Sequence, residues 1–134
     1  MATKTIEGVE LVAAGTWNAS TGKTTITREH LEAMLAARDD VDHAPLKLGH
    51  RSSLNAELGD GAPAYGWVVP THIENRNGRD VLLGDLKDVP AKLADAMHSA
   101  YRRRSAEIAW TLTGLSGKAH KAALVGLALL GCLL

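Results

Sequence analysis

Apolar and polar positions alternate along this chain in a way that divides it into many short extended segments and two helices. Residues 6–14 carry Val9, Leu11 and Val12 ahead of Gly15, which predicts a strand closed by a turn. Asn18 to Gly22 has turn chemistry and Thr24-Thr-Ile-Thr27 is β-branched, so a loop between two strands is expected there. A helix follows. Thr27 can cap it, Glu29 suits its first turn, and Leu31, Met34 and Leu35 recur at helical spacing before Asp39 and Asp40. Residues 44–50, Ala-Pro-Leu-Lys-Leu-Gly-His, alternate Leu46 and Leu48 with other residues as a half-buried strand does, and leave His50 at its end.

Beyond it, residues 52–63 read as a loop rich in turn-formers. Residues 65–74 and 81–86 are apolar and β-rich, and Asn75-Arg-Asn-Gly78 between them signals a hairpin. Pro90 opens a second helix whose Leu93, Ala94 and Met97 share one face up to Tyr101. Residues 105–113 return to strand character, and Gly114-Leu-Ser-Gly117 makes a turn. The uncharged run from Ala122 to Leu134 is too short to span a bilayer, which takes about 20 residues. Burying one of its leucines is worth roughly 1.5 to 3 kcal/mol, so it is expected to complete a barrel as a strand, with Cys132 to Leu134 fraying or covering a neighbouring chain. The pattern predicts an α+β domain over residues 1–134. Its expected architecture is a small β-barrel or curled sheet of mostly antiparallel strands flanked by helices.

Composition narrows the function. With 134 residues the chain buries roughly 68% of the surface it exposes unfolded, so a core forms without disulfides or metal. One cysteine excludes an internal disulfide. Fifteen basic residues balance fifteen acidic ones, which removes the long-range attraction on which nucleic-acid affinity rests. Two acids in the stretch from Ile6 to Leu11 break the apolar run that a signal peptide needs. Gly22-Lys-Thr24 resembles the end of a P-loop, but the first glycine of that motif would fall on Trp17. Six histidines offer neither HExxH nor any other metal spacing, so no metal and no cofactor is expected. His30, His43, His72 and His98 read as surface residues.

Two residues remain as candidates for chemistry. His50 closes an apolar strand beside Gly49, and Ser105 starts another in Arg102-Arg-Arg-Ser-Ala-Glu-Ile108. Alternation puts Ser105 and Glu107 on one face of that strand and Ala106 and Ile108 on the other. A serine, a nearby acid and a distant histidine are the raw material of acyl transfer.

Five blocks in order carry a resemblance to a known family. They are Gly15-Thr-Trp-Asn18, Ala44-Pro-Leu-Lys-Leu-Gly-His50, Pro63-Ala-Tyr-Gly-Trp67, Asp85-Leu-Lys-Asp-Val-Pro90 and Arg104-Ser-Ala-Glu-Ile108. From about residue 8 to Gly131 the chain resembles the Mu-like prophage I protein family, head-maturation proteases of tailed phages. The resemblance implies a serine endopeptidase of the prohead-protease and assemblin type, with a β-barrel core flanked by helices. It matches His50 to the family's base and Ser105 to its nucleophile. At a reference pKa of about 6.5 the imidazole is mostly neutral at cytoplasmic pH, as a base must be. The third, orienting group is left between Glu107 and His120, with Glu107 slightly favoured and its pairing to an arginine as the inert alternative. The implied partners are phage scaffold and major capsid proteins, the implied place is the assembling prohead in the host cytoplasm, and a homo-oligomer is allowed. The family usually continues into a scaffold-like tail, so a chain ending at Leu134 is expected to be a shortened member. The competing expectation is a truncated or catalytically silent assembly protein that binds scaffold or capsid subunits.

Overall fold

The computed structural model describes residues 2–19, 22–49, 63–101 and 103–130, with only the backbone of Ala19 and His98. The described strands are β1 (Thr3–Ala13), β2 (Gly15–Ala19), β3 (Gly22–Ile26), β4 (Ala44–Leu48), β5 (Trp67–Arg76), β6 (Arg79–Pro90), β7 (Arg103–Thr113) and β8 (Ala119–Leu130). Two helices accompany them, α1 (Arg28–Ala37) and α2 (Ala91–Ala100). The expected loop at 52–63, apart from Pro63, and Cys132 to Leu134 lie outside the described residues.

Local chemistry explains these boundaries. The Thr27 hydroxyl accepts from the His30 amide, and the Thr27 amide donates to His30 Nδ1 at 3.0 Å, so two helix-end donors are satisfied reciprocally. Leu31, Met34 and Ala37 then bury one face of α1 against β8, β5 and β6. Asn77 and Gly78 both take positive φ, which gives a two-residue turn whose twist matches the strands it joins, and Arg76 pairs with Arg79 across it. Pro90 ends β6 and stands just before the first turn of α2, one position earlier than expected.

Six strands form one mixed sheet in the order β1-β6-β5-β4-β8-β7, and β2 with β3 makes a separate hairpin. The ladders are antiparallel except between β4 and β8. Ala44 and Pro45 pair with β5, then Leu46 to Leu48 pair in parallel with Leu127 to Leu129. The apolar C-terminal run is therefore an interior strand, as its leucines require. Leu127 and Leu129 reach the core from one side of a bulge at Val125, and Ala122 and Leu124 reach it from the other. The extra residue shifts the alternation by one, so both pairs face the same way.

Among the described residues no ladder joins β1 to β7, so the sheet is open and the expected closed barrel is not formed by backbone pairing. A side chain spans the gap instead: Arg104 Nε donates to the Glu10 carbonyl at 3.2 Å. The α+β class holds, with a curled mixed sheet around Leu82, Leu86, Val89, Leu46 and Leu127.

Candidate functional site

The face of the sheet turned away from this core holds Ser105 and Glu107. Leu46 is fully buried, so its neighbours Pro45 and Lys47 point to the opposite face of β4. In β7, Ala106 and Ile108 pack on the core, which sends Ser105 and Glu107 outward together, as alternation predicts. Lys47 lies opposite Ala128 on β8, and Ala128 lies opposite Ser105, so the three form one row. With strands about 4.8 Å apart, Lys47 and Ser105 have Cα atoms about 10 Å apart. Ala128 between them is buried and small, and Ser105 is half-buried.

Glu107 stands opposite Gly126, one row along. Its carboxylate accepts an ion pair from Lys47, Nζ to Oε1 at 2.8 Å, across the strand that separates them. The glycine makes this route available. A Cβ at position 126 would lie 2.5 Å from Glu107 Oε1 and 3.3 Å from its Cδ. Gly126 does not need positive φ, so space rather than backbone conformation accounts for it. Lys47 of β4 is thus a cation on Glu107.

His50 lies outside the described residues. The chain leading to it is fixed: the Gly49 amide donates to the Leu129 carbonyl at 2.9 Å, and Gly49 takes φ 74°, a conformation that glycine adopts without strain. Leu129 pairs with Arg104 on its other side, next to Ser105.

His120 is placed elsewhere, which removes it as the orienting group for Ser105. It opens β8 about eight residues before Ala128, roughly 25 Å away at the rise of an extended strand. Its side chain is buried, and Nε2 donates to Asp40 Oδ2 at 2.6 Å. Ser116 adds two bonds to the same carboxylate, from its amide to Oδ1 at 2.6 Å and from its hydroxyl to Oδ2 at 2.7 Å. These bonds, that from His120 foremost, lower the Asp40 pKa to about 2. The cluster ties the end of α1 to the β7–β8 turn, where the Leu115 amide also donates to the Asp40 carbonyl. Pattern reading missed both Asp40 and Lys47, because their partners lie on strands whose pairing only the fold reveals.

The other described histidines have local roles. His30 completes the α1 cap and meets Trp110 edge-on at 4.9 Å, His43 bonds Asp42 at 2.7 Å, and His72 bonds Glu74 at 3.0 Å. Among the described residues no group of three or more His, Cys, Asp or Glu could hold a metal, and no helix is long and apolar enough to cross a membrane.

A curled α+β sheet with a half-buried serine and an ion-paired glutamate on its outer face is the class that this geometry defines. Residues 9–132 match the model of the Mu-like prophage I protein, N-terminal domain, and the chain belongs to that family, which makes it a phage-associated protein. No curated protein and no solved structure matches it.

Proposed function

We propose that this domain is a serine endopeptidase of head maturation, cleaving scaffold and major capsid proteins inside the assembling prohead in the host cytoplasm. The observation that carries the reading is the insertion of β8 between β4 and β7, which brings the chain at Gly49 to within two strand spacings of the Ser105 segment. His50 follows Gly49 directly. In this reading His50 takes the Ser105 hydroxyl proton as Oγ bonds to the substrate's peptide carbonyl carbon. The C–N bond then breaks, the imidazolium returns its proton to the leaving amine, and water hydrolyses the acyl-enzyme. Glu107, on the same face as Ser105, is the acidic member. The curl of the sheet, with Arg104 of one edge strand bonded to Glu10 of the other, serves as the barrel wall of the prohead-protease type.

Co-expression with the neighbouring scaffold and capsid genes, followed by mass spectrometry of the products, tests this. Defined cleavage that disappears in both Ser105→Ala and His50→Ala is the expected result. Scaffold binding without cleavage, and no labelling of Ser105 by a fluorophosphonate, would replace the protease with a non-enzymatic assembly protein.

A further inference from the structure

Lys47 forms an ion pair with Glu107, and it reaches that carboxylate from a strand that is not adjacent to β7. Such a contact needs three conditions together. Lys47 must face outward, as the burial of Leu46 ensures. The strand between must carry small residues, as Ala128 and Gly126 do. The carboxylate must lie flat over position 126, where any Cβ would collide with it. The side chains of Lys47 and Glu107 are 36% and 22% exposed, so water screens the pair only partly. A pair on a fully solvated surface would contribute little and would need no glycine beneath it.

We propose that Lys47 is a positioning residue: its ammonium, with Gly126 as the floor, fixes the Glu107 carboxylate on the face that carries Ser105. The inference deepens the protease reading and rests on it. Lys47 acts through Glu107 and touches no substrate. Its ammonium lies on one carboxylate oxygen, Oε1. A free glutamate on a strand samples several rotamers, whereas a carboxylate tethered at 2.8 Å is held in one. Arginine can hold the carboxylate in the same way, and methionine cannot.

The test is the rate at which a fluorophosphonate labels Ser105 in the full chain, divided into probe affinity and maximal rate, with thermal melting measured alongside. Lys47→Met should lower the maximal rate by about tenfold to a hundredfold, the scale of a misplaced active-site group, with little change in probe affinity or Tm. Lys47→Arg should restore most of the rate. The exchanged pair, Lys47→Glu with Glu107→Lys, should melt like the wild type and still label slowly, because the carboxylate then sits on the wrong strand. Wild-type labelling that Lys47→Met leaves unchanged would overturn the inference alone. Full recovery in the exchanged pair would also overturn it, by making the contact a strut between strands. No labelling of the wild type beyond the Ser105→Ala background would overturn the nucleophile assignment, and this inference with it.

Discussion

The two ends of the β7–β8 pair each gather a serine and a carboxylate, and they arrange them in opposite ways. At the turn end, Asp40 is the centre. His120 and the Ser116 hydroxyl both donate to Oδ2, the Ser116 amide donates to Oδ1, and the imidazole is buried. The Ser116 proton points at the carboxylate instead of an imidazole nitrogen, so no relay from hydroxyl to base exists there. At the other end Ser105 is half-buried on an outward face, its row neighbour is an alanine, and the nearby carboxylate is held by a cation from a third strand. The same residue types make a clamp when every donor converges on one acid. They leave a hydroxyl available when the acid is satisfied from another direction.

Substitutions can separate the two clusters. The largest effect is expected for Ser105→Ala and His50→Ala, each of which should abolish processing of co-expressed capsid and scaffold proteins while Tm stays near that of the wild type. Ser116→Ala should do the reverse, keeping Ser105 labelling and lowering Tm; loss of labelling there would erase the distinction drawn between the two serines. Gly126→Ala comes next. The added methyl displaces the Glu107 carboxylate, and labelling should slow by about tenfold, the cost of an ångström-scale misplacement, with secondary structure retained by circular dichroism.

Asp40 provides a test through pH. Its pKa falls from the ordinary 3.8 to about 2 in the folded protein, so its stabilising contribution is complete above about pH 3.8 and is lost as the pH falls toward 2. Melting followed between pH 5 and 2 should show a steeper fall for the wild type than for Asp40→Asn, which lacks the titrating group. Equal slopes would mean that the clamp does not couple to folding. The smallest effect is on stability in Lys47→Met, where loss of a part-exposed ion pair should cost about 1 kcal/mol or less in chemical denaturation.

Much of the local structure was legible because its causes are local. The Thr27 cap, the Asn77-Gly78 turn and the alternation in 44–48 and 105–108 are each set by residues a few positions apart. What escaped was set by pairing at long range. The parallel match of Leu46 to Leu127 leaves no mark on either segment, since a buried interior strand reads the same whichever neighbour it takes. Without that match, Lys47 is an ordinary polar position in a strand and Gly126 an unexplained glycine. The bulge at Val125 likewise hides from simple alternation, because the leucines on its two sides fall out of step by one residue. His120 could be recognised as a titratable group, but Asp40, which fixes its role, lies about 80 residues away.

The pairing of β4 with β8 also bears on when the molecule becomes competent. It joins segments about 80 positions apart and in parallel, so the loop entropy must be lost before the contact returns any stabilisation. During synthesis β4 emerges long before β8, and until β8 docks, Lys47 has no Glu107 within reach and Ser105 has no row across the sheet. The last strand to join is thus the one that assembles the outer face. In the protease reading proposed above, Ser105 would be inactive in a nascent or partly folded chain and would gain its surroundings only with the completed topology.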